Sequence, residues 1–275
     1  MTPRIAIIGH VCVDENTIDG ERTVRWGSPL LYMAEYFIKK HDIRPVLIAP
    51  YSKDLAEYVN TGLLLNKPSG FNTLRYRNRI RGDARIQSCV NTLNSGPVKL
   101  IPEMKKTLKS TDIFIFAPLL PNYKAAYLKA IEKILPSECL KIILPQGYLR
   151  KARLGRPIIK REFKEYANIL SQFTTSIQSD EDSEYSERTA KRWSEQFPDL
   201  HVIVTRNRKG SIDFTKGHGT EVPTVSASDQ EMKNPIGAGD IFGASYSYYY
   251  GQSGDKNASI VKARHDTYES LAREA

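Results

Sequence analysis

Ile5-Ala6-Ile7-Ile8-Gly9 is an uninterrupted apolar run closed by a glycine. It is too short for a stable helix and shows no polar alternation, so it reads as a strand buried on both faces. The same pattern recurs along the chain at Pro45-Val46-Leu47-Ile48, Ile113-Phe114-Ile115-Phe116, Lys141-Ile142-Ile143-Leu144 and His201-Val202-Ile203-Val204. Between these runs, residues 29–40, 121–135, 159–170 and 183–196 carry apolar side chains at i, i+3, i+4 spacing and are predicted as amphipathic helices. Continuous apolar strands separated by helices predict an α/β fold: a doubly wound, mostly parallel sheet flanked by helices, in one domain over residues 1–275.

Two stretches break this rhythm. Residues 15–24 predict a hairpin turning at Asp19-Gly20, and residues 73–91 a longer one with Arg81-Gly82-Asp83 near its turn. Together they predict a small β lid over the carboxyl ends of the main strands, where open α/β sheets place their ligands. In Leu74-Arg75-Tyr76-Arg77-Asn78-Arg79-Ile80-Arg81 the arginines recur with period two, so a strand puts all four on one face. That face is either solvated or turned to an anionic ligand or a partner subunit.

The 275 residues contain 40 Lys plus Arg against 31 Asp plus Glu, a formal charge of +9 that favours anionic ligands. The basic residues are dispersed and no nucleic-acid motif accompanies them, so a nucleic-acid partner is not expected. No apolar run is long enough to span a membrane and the amino-terminal residues pass straight into a strand, so a cytoplasmic location is expected. Cys12, Cys89 and Cys139 are widely spaced and read as buried thiols. The five histidines are scattered and receive no catalytic or metal role.

The chemistry centres on Lys233-Asn234-Pro235-Ile236-Gly237-Ala238-Gly239-Asp240-Ile241-Phe242-Gly243-Ala244-Ser245. Asn-Pro and two glycines make a turn, and the apolar small residues after Asp240 predict a buried helix. Backbone N–H groups at such a helix start converge on an anion. A carboxylate there is either a plain helix cap or a general base that takes a proton from a substrate hydroxyl. Neither the Walker A nor the Rossmann glycine pattern is present.

Gly-Ala-Gly-Asp followed by Ile-Phe-Gly-Ala resembles the signature of the ribokinase-like (PfkB) carbohydrate kinases, and the similarity extends along the chain in the same order. Gly9 through Asp14 resembles that family's first strand and its substrate-binding aspartate. Trp26-Gly27-Ser28-Pro29 stands at its glycine turn near the substrate, and Thr73 through Gln87 at its lid strands, ending in Arg85-x-Gln87. Ala117 through Pro121 and Pro145-Gln146-Gly147-Tyr148-Leu149-Arg150 resemble segments of the sugar and polyol kinase branch. Ser179-Asp180-Glu181-Asp182 falls at the Asn-x-x-Glu that organises magnesium and its waters. Val204-Thr205 through Gly210 resembles a nucleotide-binding loop.

The resemblance implies an ATP-dependent kinase that phosphorylates a small sugar or polyol. Asp240 is then the general base, and Gly237, Ala238 and Gly239 form the anion hole. Asp14, Gly27, Ser28, Arg85 and Gln87 bind the acceptor; for Arg85 and Gln87, lid packing remains open. Thr205, Asn207, Gly210 and Asn234 bind the nucleotide, and Ser179 and Asp182 reach Mg2+ through water. Arg150 is placed as a loop cap, with a substrate phosphate as the alternative. Exposed lids pair in this family, which implies a homodimer through the lid. Several residues depart from the pattern: Asn234 and Ile236 replace Asp and Thr, Asn207 replaces Gly, Ser179 and Asp182 replace Asn and Glu, and Gly27 stands alone where two glycines are usual. The tail after Gly251 is also shorter. These departures keep two alternatives in view, a catalytically weak ligand-binding or regulatory relative and a nucleoside kinase.

Overall fold

The computed structural model describes residues 2–81, 84–223 and 236–272. Numbered along the chain, β1 (Ile5–Gly9) leads into the hairpin β2 (Cys12–Ile18) and β3 (Glu21–Gly27), then α1 (Pro29–His41) and β4 (Val46–Ile48). A second hairpin, β5 (Arg75–Arg81) and β6 (Ala84–Val90), precedes α2 (Pro102–Leu108), β7 (Ile113–Ala117), α3 (Ala125–Glu132) and β8 (Leu140–Ile143). The short pair β9 (Arg150–Lys151) and β10 (Ile159–Lys160) is followed by α4 (Tyr166–Leu170), β11 (Thr175–Ser179), α5 (Ser186–Gln196) and β12 (His201–Thr205). The chain continues through β13 (Ser211–Thr215), β14 (His218–Val222), α6 (Ala238–Ser253) and α7 (Lys256–Ala272).

Among the described residues the main sheet has eight strands in the order β14-β13-β12-β11-β8-β7-β1-β4, parallel from β12 to β4 and antiparallel across β13 and β14. The strands lack polar alternation because both faces are covered. Ile5, Ile7, Ile113, Ile115, Ile177 and Ile203 pack with α1, α6 and α7. Their neighbours Ala6, Ile8, Phe114, Phe116, Val202 and Val204 pack with α2, α3, α4 and α5. Each such aliphatic side chain contributes about 2 kcal/mol on burial.

Both insertions join in a four-stranded sheet, β3-β2-β5-β6. The first hairpin turns at Asp19 (φ 49°) and Gly20 (φ 94°), as its Asp-Gly pair predicts. Alternation along β2 puts Asp14 on the inner face and Glu15 on the outer. Outside, Glu15 takes Arg75 and Arg77, each at 2.9 Å, while Arg79 and Arg81 are exposed. The arginine face therefore points away from Asp14.

The helix predicted over 159–170 forms only at Tyr166–Leu170. Its first part pairs with the preceding loop instead: Ile159 and Lys160 form β10 against Lys151 and Arg150 of β9, and Arg161 N–H donates to the Leu149 carbonyl at 2.8 Å, while Ile158, just before the span, donates to the Gln87 carbonyl of the lid at 2.7 Å. Tertiary pairing here overrides an apolar spacing that suits a helix.

Candidate active site

Asp14 is buried on β2, and β3 returns Gly27 directly against it. A Cβ added at Gly27 would stand 2.1 Å from the Asp14 carboxyl carbon, so only glycine leaves that carboxylate its place. The Cys12 thiol donates to Asp14 Oδ1 at 3.3 Å. Burial, then the charge of Asp14, pushes the thiol pKa far up, and Asp240 contributes to the same shift. Cys12 therefore remains a protonated donor, and both aspartates act on one sulfur. Ser28 caps α1 through Leu31 N–H at 3.4 Å, from a backbone at φ 103°, ψ 153° that favours glycine.

The second glycine turn opens α6. Gly237 stands at φ 90°, and a Cβ there would meet the Tyr32 ring at 2.8 Å. Tyr32 belongs to the first turn of α1 and its hydroxyl accepts from Arg25 at 3.1 Å, so the two turns share a wall. The amides of Ala238 and Gly239 precede the first intrahelical bonds of α6, which run from Asp240 and Ile241 N–H to the Gly237 carbonyl. Sixteen residues of helix thus present their positive end beside the Asp240 carboxylate. Asn234 lies outside the described residues.

Arg150 is not a loop cap. Gly147, whose Cβ would strike the Pro118 carbonyl at 2.6 Å, lets the turn at Pro145–Gly147 pack tightly and direct the chain inward. Arg150 Nη2 then donates to Asp182 Oδ1 at 2.9 Å, with 19% of the Arg150 side chain exposed and 7% of that of Asp182. Burial acts against the guanidinium charge most strongly, but Asp182, Tyr76 and Asp240 together outweigh it, so the group stays charged. Asp182 Oδ2 accepts the Ser179 N–H at 3.0 Å. Ser179 Oγ is occupied with Asp180 and the Glu181 amide. Each carboxylate oxygen of Asp182 thus makes one hydrogen bond to the protein and keeps a lone pair that can accept from a water, as a magnesium-water role through this pair requires.

At the other end, Asn207 takes φ 48°, as its tolerance of that region allows, and its side chain donates to Glu181 Oε1 at 3.0 Å. Gly210 stands at φ 97°, and a Cβ there would lie 2.5 Å from the Val222 carbonyl oxygen. Thr205 Oγ1 donates to the Gln178 carbonyl at 3.4 Å. On the lid, Gln87 donates to Asn78 and Asn78 to Asn16, each at 2.8 Å, a row of carboxamides beside Asp14. The Arg85 side chain lies outside the described residues.

Sequence reasoning missed Cys12, Asn16, Arg25, Tyr32 and Tyr76. The signal available was period two: Cys12, Asp14 and Asn16 alternate on one face of β2, and Tyr76 and Asn78 continue that face on β5. Tyr246 and Tyr248 pack within the fold, the first fully buried, the second stacked on His41 at 3.7 Å. His10 is structural: burial lowers its pKa to about 4, so the neutral ring accepts Leu119 N–H and donates to the Ser95 carbonyl, both at 2.9 Å. His265, Asp266 and Glu269 also cluster, but Lys40 already lies against both carboxylates at 3.1 and 2.9 Å.

No family model matches the sequence, nor does any curated protein. Solved structures do match, over nearly the whole of both chains. A pyrophosphate-dependent kinase in the ribokinase family, complexed with a pyrophosphate analog and myo-inositol, superposes with a TM-score of 0.76 at 15% identity, covering 98% of this chain and 95% of that one. The chain has a ribokinase-like fold. Adenosine kinase from Sinorhizobium meliloti superposes with a TM-score of 0.76 at 12% identity over 99% and 94%. The nucleoside kinase of Methanocaldococcus jannaschii gives 0.68 at 15% over 99% of each chain. In open α/β sheets of this kind ligands bind beyond the carboxyl ends of the parallel strands, and the carboxyl end of β1 at Gly9 leads directly into β2, which carries Asp14. No helix among the described residues is long and apolar enough to cross a membrane.

Proposed function

We propose that the chain is a kinase that transfers a phosphoryl group from a phosphoanhydride donor, ATP or pyrophosphate, to a hydroxyl of a small sugar or polyol. The observation that carries this reading is the pair of glycine turns that share α1: Gly27 leaves room for the Asp14 carboxylate, and Gly237, against the Tyr32 ring of α1, opens the helix whose first turn holds Asp240. One carboxylate is placed to bind acceptor hydroxyls, and the other to deprotonate one beside amides that suit an anion.

In the reaction the acceptor oxygen bonds to phosphorus as the bond from phosphorus to the donor's bridging oxygen breaks. That oxygen keeps the electron pair, and the hydroxyl proton passes to Asp240. Ala238 and Gly239 N–H groups face the charge of the group in transfer, while Thr205, Asn207 and Gly210 form the wall for the rest of the donor. Ser179 and Asp182 would hold magnesium through water, and no step is routed through the metal. The carboxamides of Asn16, Asn78 and Gln87 beside Asp14 support a polyhydroxylated acceptor over one presenting a flat base. One structural relative is described with myo-inositol and a pyrophosphate analog, which favours testing both donors.

The test is phosphotransfer by the wild type and Asp240→Asn, with ATP and with pyrophosphate, across sugars, polyols and nucleosides. Wild-type turnover with one acceptor class is expected, falling by roughly 10²–10⁴ in the variant, with an unchanged melting temperature. Equal activity in the two proteins removes Asp240 from the base role; transfer to nucleosides alone replaces the acceptor class.

A further inference from the structure

Asp213 is a buried acid that the reaction above does not use. Alternation along β13 puts it on the face toward α6, because it pairs with Ile203 on β12, which packs in that layer with Tyr246. It is 6% exposed, and its Oδ1 has no hydrogen-bond partner among the described residues; neither has Ser211 Oγ, two residues before it on the same face. A carboxylate so placed needs a cation or several N–H donors, whereas a neutral carboxyl needs neither.

No element packed on this face supplies that cation among the described residues. From β12 comes His201, two residues before Ile203, whose Nδ1 lies 3.2 Å from Thr215 Oγ1. From β14 come Thr220, directly opposite Asp213, and the exposed His218 farther along the strand. From α6 come Tyr246 and Tyr250, whose rings stack at 5.3 Å, the second 6.1 Å from His201. From α7 come Lys256 at its start and Arg264, whose Nη2 donates to the Asn207 carbonyl at 3.2 Å on the loop that precedes β13. Burial is the cause acting on the Asp213 carboxyl, and it pushes the pKa up to about 6. The helix that rests here, α6, carries Asp240 in its first turn.

We propose that Asp213 is a pH-sensitive latch beneath α6: as a neutral carboxyl it lets the helix seat on β13, and as a carboxylate it draws water into that contact and loosens it. The latch stands apart from the kinase reading, since it concerns the seat of α6 whatever the reaction. Its proton comes from solvent and returns there on ionisation. In the unfolded chain the same group ionises near pH 4, so folding takes up a proton between that value and about 6. The stability due to the neutral form is therefore complete below about pH 4, is lost as the pH rises toward and through about 6, and falls no further above about 7.

The experiment follows thermal unfolding from about pH 4 to about pH 8 for wild type and Asp213→Asn, which keeps the shape without the charge. Measured against the variant at each pH, the wild-type melting temperature should drop by about 5 °C over the lower half of that range and then level. The infrared band of a protonated carboxyl should be present in folded wild type near pH 5, absent from the variant and gone near pH 8. Hydrogen exchange along α6 should be faster in wild type than in the variant near pH 8 and equal near pH 5. A constant difference in melting temperature across the range, or no carboxyl band that the variant removes, overturns the proposal. A pH-dependent melting difference with equal exchange along α6 at both pH values also overturns it, since the helix is then not what Asp213 holds. Asp213→Val, apolar and suited to a strand, gives the same comparison where asparagine is not accommodated, and a wild-type pH dependence in it overturns the latch.

Discussion

Gly27 and Gly237 each stand at the mouth of a helix, before α1 and α6, yet they are glycines for different reasons. At Gly27 a Cβ has no room because the Asp14 carboxylate occupies it, while at Gly237 the backbone itself is left-handed and a ring closes the remaining space. The first turn therefore protects the place of a side chain, and the second sets the direction of N–H groups. Tyr32 couples them, since it springs from the helix that one turn opens and lies against the Cα of the other. A substitution at the first should register in acceptor binding, and one at the second in chemistry and fold together.

Gly237→Ala is expected to have the largest effect, combining left-handed strain of about 1–3 kcal/mol with displacement of the Tyr32 ring. Phosphotransfer should fall at least 100-fold and the melting temperature by several degrees. Adding Tyr32→Ala should not restore turnover, because the backbone strain remains; restoration would show that the ring alone matters and break the contrast. Gly27→Ala comes next, with acceptor KM raised at least tenfold by a displaced Asp14 and kcat less affected. Adding Asp14→Ala to it should recover thermal stability but not acceptor affinity, and recovery of both would remove Asp14 from the site.

The smallest effect sharpens the comparison from a third residue. Ser28 occupies a backbone region that costs a non-glycine residue about 1–3 kcal/mol, while its long cap is worth only a few tenths of a kcal/mol relative to glycine. Ser28→Gly should therefore raise the melting temperature by about 2–4 °C in a calorimetric scan. A fall would mean that the cap outweighs the strain.

Much of this was legible in the residues. Isoleucine-rich runs such as Ile5–Ile8 marked strands because both faces are covered, and Asp19-Gly20 marked its own turn. β11 escaped because Thr175, Ser176 and Gln178 are buried despite their polarity, and the neighbouring strands, not its composition, place it. The segment before α4 was misread because its backbone pairs with β9, and Ile158 just before it with Gln87 of the lid, contacts that an apolar spacing does not encode. In the site, the Gly237–Asp240 turn was legible from local spacing, and Asp14 and Gly27 only through the family resemblance. The alliance of Arg150 with Asp182 was not, since two separate crossover loops must fold before the pair exists.

The lid carries one more consequence. Its central pairing, β2 with β5, is parallel and joins residues such as Asn16 and Asn78, sixty-two apart, with α1 and β4 in the intervening chain. Closing a loop of that length costs about 4 kcal/mol in chain entropy before any lid contact offsets it. The order of assembly follows: α1 and β4 dock on β1 and shorten the effective loop, and only then does β5 meet β2. The roof over Asp14 thus closes only after the floor it rests on, β1 with α1 and β4, has packed.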